Sequence, residues 1–243
     1  LPAAQLALLD ELGRVTAEGI GKREKHLVVI LSSEIAPDVS FVRAAAKPIS
    51  GLLLTPLSVK GAPLHAVETL LGDRAPLGHL TETLADPTHP AADRRGYKIG
   101  PFVGYRYYDT VGCGTVYPFG HGLSYTDFNY SDLKVSRLGD GSLKVVVKVT
   151  NAGKRDGDEV VQLYLSNDRK FRTPIRSLKG FDRISLKAGE SMDVVFTVAP
   201  DELTVVDQKG ASVPMKGRIT VSVGGGQPGY ASDCLMTEVN YRR

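Results

Sequence analysis

The 243-residue sequence has no tryptophan, only two cysteines and no run of 18 apolar residues. Without such a run there is no membrane-spanning helix. Cys113 and Cys234 lie far apart and form no C-x-x-C pair. The five histidines (His26, His65, His79, His89 and His121) show neither H-x-x-x-H nor H-E-x-x-H spacing. Neither a disulfide scaffold nor a metal site is therefore expected, and no cofactor is implied, although a single bridge between the two cysteines stays open. An excess of one charge is also lacking. The chain carries 30 Lys+Arg against 27 Asp+Glu, a net charge of +3 with no concentrated basic patch, which excludes a nucleic-acid footprint. An initiator Met and any signal or transit pattern are missing as well. A chain beginning at Leu1 is expected to be a processed or truncated piece of something longer, and it indicates no compartment.

What is present is globular in kind: 42% hydrophobic and 23% charged residues, with room for one large or two ordinary domains. In Pro2–Ala17, Leu6, Leu9, Leu12 and Val15 recur every three positions, which predicts a helix with Pro2 in its first turn. HLVVILS (26–32) is a continuous apolar run, the pattern of a strand covered on both faces. A short helix over Val39–Lys47 ended by Pro48, a second buried strand over Ile49–Thr55 and a helix over Leu64–Leu71 closed by Gly72 follow. The order αβαβα predicts a parallel sheet, but two strands make only part of an α/β domain.

Periodicity then disappears between about Leu84 and Tyr130, where aromatics concentrate. Tyr97, Tyr105, Tyr107, Tyr108, Tyr117, Tyr125 and Tyr130 fall there, with Phe102, Phe119 and Phe128. Beyond Tyr130 the period is two. Leu143, Val145, Val147 and Val149 alternate with polar partners; so do Val161, Leu163 and Leu165, then Val194, Phe196 and Val198, then Ile219, Val221 and Val223. Turn residues at 139–141, 151–153, 187–189 and 207–210 separate them. This spacing predicts an antiparallel β-sandwich of immunoglobulin or fibronectin III type, and the missing core Trp and disulfide favour the latter.

The segments GYRYYDT (104–110) and YPFGHGLSYTDFNYSDL (117–133) resemble the junction in glycoside hydrolase family three, the β-glucosidase and β-xylosidase family. Pro118, Phe119, Gly120, Gly122, Leu123, Ser124, Tyr125, Thr126 and Phe128 all fit its P-F-G-[YH]-G-L-S-Y-T-x-F run. EVVQLYLS (159–166), SLKGFDRISLKAGES (177–191) and VSVGGGQPG (221–229) resemble its terminal fibronectin-like domain in order and spacing. Upstream, LPAAQ (1–5), HLVVILSS (26–33) and AVETLLGDRAPLGHLTETL (66–84) are similar to parts of its α/β sandwich. Two departures stand out: Gly78-His79-Leu80-Thr81 lacks the family's usual proline, and TPLSVKGA (55–62) replaces a glycine-rich loop. The resemblance implies a partial α/β sandwich (1–85), an aromatic-rich connector (86–130), a fibronectin III-like sandwich (131–230) and a carboxyl-terminal tail (231–243).

A retaining glycosidase needs two carboxyl groups flanking the scissile bond. The resemblance implies a nucleophilic Asp on a separate (β/α)-barrel and an acid/base Glu ahead of the L-P-x-x-Q helix, both outside this chain, so no residue here inherits a catalytic role. Glu11, Glu34, Asp73, Glu82, Asp109 and Glu159 are carboxylates by type alone, read as solvated or capping groups. Asp109 is the least bland, with Arg106 or backbone N–H groups as partners. Arg106, Tyr107 and Asp109 are the weak candidates for contact with sugar; an interdomain clamp of buried rings is the favoured reading of this run. His121 suggests a turn-stabilising hydrogen bond. Gly224-Gly225-Gly226 reads as a bulge or turn, since no Lys-Ser/Thr follows as a phosphate loop requires. Ser32, Ser33 and Ser124 lie in no G-x-S-x-G elbow. The expected function is a carboxyl-side structural part of a β-glycosidase, whose partner is the catalytic barrel of the same protein and which meets carbohydrate only through the whole enzyme. Two alternatives stay open: a stand-alone carbohydrate-binding or interaction module, which the lack of Trp disfavours, and a degenerate homologue.

Overall fold

The computed structural model describes residues 1–18, 26–44, 49–76, 78–88, 102–167, 173–207 and 209–241. His89, Tyr97, most of the connector before Phe102, and the Ala45–Pro48 end of the second expected helix lie outside the described residues. Two compact units are present. One holds 1–74, 84–88 and 114–116; the other holds 75–83, 102–113 and 117–241.

In the first unit, α1 (Ala3–Glu18) starts behind Pro2, whose carbonyl accepts from the N–H groups of Gln5 and Leu6. β1 (Val28–Ser32), α2 (Phe41–Ala44), β2 (Gly51–Thr55) and α3 (Ala62–Leu71) follow. β1 and β2 pair in parallel, with Val28 beside Gly51 and Ser32 beside Thr55. Gly61 and Gly72 flank α3 at φ 89° and 78°, a conformation that costs glycine least. β3 (Leu84–Ala85) and β4 (Thr115–Tyr117) form a short ladder of their own. Arg43 braces this region, with Nη1 3.0 Å from Asp86 Oδ2 and Nη2 donating to Thr115 O at 2.8 Å.

One expectation is corrected here. β1 is not covered on both faces: Val29 is buried, while Val28 and Ile30 are 43% and 41% exposed. Helix α1 likewise leaves Leu8, Leu12 and Val15 exposed. The continuous apolar run encodes two-sided burial, and the described residues supply cover on one side.

The second unit is a sandwich. β5 (Phe128–Arg137), β6 (Leu143–Asn151) and β9 (Ser191–Val198) form one antiparallel sheet, ordered β5-β6-β9. The other is ordered β13-β12-β7-β8 and consists of β7 (Gly157–Asn167), β8 (Ser177–Leu186), β12 (Gly217–Gly224) and β13 (Leu235–Tyr241). A hairpin of β10 (Thr204–Val206) and β11 (Ser212–Pro214) stands apart from both sheets. The four expected strand runs fall on β6, β7, β9 and β12, and their alternating apolar residues form the core: Val145, Val147, Val161, Ile219, Val221 and Val223 are fully buried. The segment set apart as a tail contributes β13, paired antiparallel to β12 from Leu235–Val223 to Tyr241–Gly217. β5 carries a two-to-one bulge against β6: Asp132 and Leu133 oppose Val147 alone, and Asp132 takes φ 55°.

At one end of the core Asn151, fully buried, has every side-chain bond made. Oδ1 accepts from Thr126 Oγ1 at 2.6 Å and Gly153 N at 3.1 Å; Nδ2 donates to Arg155 O and Leu186 O at 2.8 and 3.1 Å. Orphaned buried groups cost about 1–3 kcal/mol. Asn151→Ala is therefore expected to lower stability by roughly 2–3 kcal/mol in urea unfolding, without changing the fluorescence of the native state.

Candidate functional site

Helix α4 (Tyr105–Val111) carries all three candidate residues. It is framed by Gly104 (φ 58°) and Gly112 (φ 64°), the latter closing it with N–H bonds to the last-turn carbonyls. Tyr105 and Tyr108 turn inward and are buried. The Tyr105 ring lies 4.8 Å from Phe119 and edge-on to Tyr164 of β7 at 6.1 Å, and its hydroxyl accepts from Leu178 N at 2.7 Å. The helix thereby lies against the β7–β8 side of the four-stranded sheet.

Of the three candidates, Arg106 sits over the Tyr105 ring with Cζ 5.7 Å from the centroid, and Tyr107 packs edge-on to Tyr108 at 5.6 Å. Asp109 does not pair with Arg106. Its Oδ2 is 2.9 Å from Nε of Arg176, with the Asp109 side chain 4% exposed. The pair meets as opposite charges and not along a hydrogen-bond direction. Burial pushes the Asp109 carboxyl above its ordinary range, against the pull of Arg176 and of a hydrogen bond from Gln227. Arg176 also donates to Pro228 O.

A second buried polar cluster stands beside the first. Glu159, at the start of β7, is 6% exposed. Its Oε1 accepts from Val160 N at 3.1 Å and lies 3.8 Å from His79 Nε2. The Tyr130 hydroxyl and the Asp233 carboxyl face it. Burial chiefly, with the Asp233 charge adding, raises the Glu159 carboxyl to about 7, against the pull of the nearby Tyr130 hydroxyl and of the Val160 N–H. His79 is pulled down by its own burial. Gln162 anchors the other side: its Nε2 donates to Gly120 O and Gly225 O, both at 3.1 Å, and its Oε1 accepts from Tyr164 Oη at 2.8 Å.

This network explains the glycines of the 117–128 motif. A Cβ on Gly120 would lie 2.2 Å from Gln162 Oε1, and one on Gly122 2.4 Å from His79 Cδ2. Gly120 also takes φ 74°. The backbone must therefore approach Gln162 of β7 at Gly120, and His79 at Gly122, closer than any side chain allows. Gly225 obeys the same restriction, since its Cβ would fall 2.6 Å from Glu159 Oε1. Gly224–Gly226 is thus a close-packed bend leaving β12, with no helix after it. The His121 ring stacks on Tyr117 at 5.2 Å, and its backbone N–H donates to Pro118 O at 3.2 Å.

The remaining carboxylates are dispersed. Glu11 pairs with Arg14 on α1, Glu34 accepts from the Ser58 N–H and hydroxyl within the 55–62 loop, and Asp73 and Glu82 are exposed. Among the described residues no group of His, Cys, Asp and Glu is arranged to hold a metal ion, and no disulfide joins Cys113 to Cys234. An open cleft of about 440 Å³ lies between β5 and the 232–235 segment, lined by Asn129, Ser131, Ser232, Asp233 and neighbouring apolar groups.

Sequence reasoning passed over His79, Gln162, Arg176 and Asp233. One signal was available: Glu159 falls in phase with Val161, Leu163 and Leu165, a carboxylate on the core-facing period. For Arg176 and His79 no local pattern points to their partners, which are remote in sequence.

Residues 159–227 match the fibronectin type III-like domain family. The chain is 38% identical over 194 residues to the thermostable β-glucosidase B of Acetivibrio thermocellus, covering 74% of this chain and 25% of that protein. It is 35% identical over 217 residues to a β-xylosidase of Formosa agariphila, covering 85% of this chain and 29% of that one. The crystal structure of the GH3 β-glucosidase of Bifidobacterium adolescentis superposes with a TM-score of 0.83 at 29% identity, over 98% of this chain and 35% of that one. The chain thus spans about a quarter to a third of the relatives it matches. Sequence and fold together make it a relative of the glycoside hydrolase family three β-glucosidases and β-xylosidases, similar to their carboxyl-side part and bearing a fibronectin type III-like domain.

Proposed function

We propose that this chain is the carboxyl-side accessory part of a β-glycosidase that hydrolyses β-glucosides or β-xylosides, and that it carries no catalytic carboxylate of its own. The observation that supports this most is the pairing of a match confined to a quarter to a third of such enzymes with carboxylates that are dispersed or buried. A retaining pair must flank an open substrate site about 5–5.5 Å apart. Asp109 is held by Arg176, and Glu159 is buried against the Gly225 backbone.

In this reading residues 1–85 are part of an α/β sandwich, 86–130 a connector, 131–230 the fibronectin-like sandwich and 231–243 its terminal extension. The apolar residues left open on the first unit, Leu8, Leu12 and Val15 of α1 with Val28 and Ile30 of β1, suit a surface that the rest of the enzyme covers. The second unit braces the catalytic parts, and the Arg106–Asp109 run serves as a clamp and not as a sugar subsite. Arg106→Ala in the whole enzyme is expected to change thermal stability and to leave KM for an aryl glycoside within about twofold.

The direct test is activity. The purified chain is expected to release no aglycone from an aryl β-glucoside or β-xyloside above background, and turnover by the purified chain would refute the reading. The coding region upstream of Leu1 is expected to encode a (β/α)-barrel. A reading frame that opened at Leu1 would favour the stand-alone module instead.

A further inference from the structure

β9 forms one edge of the three-stranded sheet, paired with β6 alone and without a register shift. Asn151 N donates to Glu190 O, which sets the phase of that ladder. The backbone groups of Met192, Val194, Phe196 and Val198 therefore turn toward β6, and those of Asp193, Val195 and Thr197 turn away. Among the described residues no backbone group bonds these three outward N–H groups. Their side chains share the outer face of the sheet and are exposed, Val195 at 51%. Such an edge is ordinarily blunted by Lys, Pro, a bulge or shortness. β9 is 8 residues long, and its VVFTV run (194–198) holds no charge, Pro or Gly. On the facing sheet, by contrast, edge strand β8 has a register shift against β7 and carries Lys179, Asp182 and Arg183, while β13 carries Glu238.

We infer that β9 is the contact through which two copies of this chain associate, strand beside strand about a two-fold axis on Val195. The occupant follows from β9 itself. An antiparallel copy centred there sets Val195 against Val195 and Asp193 against Thr197, all of them positions whose backbone groups point outward. Each pair can therefore exchange N–H to C=O bonds, and no like charges meet. On β6, Val146 flanks Val195, Lys148 flanks Asp193 and Lys144 flanks Thr197. Across the axis the middle row then reads Val146, Val195, Val195, Val146. The rows on either side read Lys144, Thr197, Asp193, Lys148, so each carboxylate lies between two lysines. A slip of two residues breaks the valine row. The contact is self-complementary, as a two-fold interface must be, and it joins two three-stranded sheets into one of six. The inference is independent of the proposed glycosidase role.

One strand pair is a small interface, so the expected dissociation constant is weak, on the order of 50 µM. Sedimentation of the full chain should show mostly monomer at about 5 µM and mostly dimer at about 300 µM. Val195→Lys and Val195→Glu each put like charges face to face across the axis, and each is expected to weaken association roughly tenfold or more. An equimolar mixture of V195K and V195E should form the dimer again, because a two-fold on Val195 sets Lys against Glu. Wild type still monomeric at about 300 µM overturns the inference and leaves the edge to a strand of another chain. A V195K dimer as tight as wild type overturns it as well, since the contact then lies elsewhere, and so does a mixture that stays monomeric. If neither variant folds, amide hydrogen exchange of the wild type decides. The N–H groups of Asp193, Val195 and Thr197 should exchange more slowly as concentration rises, while those of Val194 and Phe196 stay constant; no dependence on concentration overturns the pairing.

Discussion

Gly120→Val is expected to lower the stability of the second unit by about 4 kcal/mol, with two costs acting together. A β-branched residue at φ 74° stands in the left-handed region, a penalty of roughly 1–2 kcal/mol. Its Cβ would also be placed 2.2 Å from Gln162 Oε1, and overpacking of this kind costs roughly 1–3 kcal/mol. Gln162 cannot simply swing aside, because its amide holds Gly120 O, Gly225 O and the Tyr164 hydroxyl at once. With a urea dependence near 2 kcal/mol/M, the midpoint should fall by about 2 M. Gly139→Ala is the control. That position has nothing within 4 Å of a built Cβ and no positive φ, so its midpoint should move little.

Arg176→Met is expected to cost about 3–5 kcal/mol, the range for removing one partner of a buried ion pair. Met keeps the aliphatic stem but leaves Asp109, with its side chain 4% exposed, facing no charge. The cost should depend on pH. Burial already raises the Asp109 carboxyl with Arg176 in place, and without the guanidinium it rises further. A carboxyl so raised contributes stability below its unfolded value and loses it as pH rises through the folded one. Arg176→Met should therefore be least harmful near pH 4 and most harmful at neutral pH. The double variant Asp109→Asn/Arg176→Met should regain much of the loss at pH 7. A double variant as unstable there as Arg176→Met alone would show that Arg176 acts through Pro228 O and not through Asp109.

How far the sequence could be read depended on how local each signal was. β6, β7, β9 and β12 were legible because Val and Leu alternate there without interruption. β13 was less so, since Met236 is exposed on the outward phase while Thr237 sits on the inward one, which blurs its alternation at the start. In β8 the exposed Phe181 follows Gly180, which is glycine because a Cβ there would lie 2.9 Å from Phe196 Cδ1. The resulting break hides the strand. For the site, α4 and the aromatic run announced themselves by composition. Their partners did not: Arg176, Gln227 and His79 lie far from Asp109 and Glu159 along the chain, and only tertiary folding brings them together. The reading of Glu159 as a solvated or capping carboxylate missed its burial for a different reason. Residue type argues for solvent, but its phase with Val161 places it inside.

The bulge in β5 has a consequence beyond its own sheet. β5 is an edge strand, and an edge exposes a row of backbone donors and acceptors to which a strand of any other molecule could add. At Asp132 and Leu133 that row is broken: two residues occupy the place of one, Asp132 turns to φ 55°, and its carboxylate lies 3.3 Å from Lys148 Nζ. A visiting strand in register with Phe128–Ser131 would be out of register beyond Lys134 and would meet a charge at the step. The sandwich thus carries on this edge a built-in guard against growing by strand addition into dimers or fibrils.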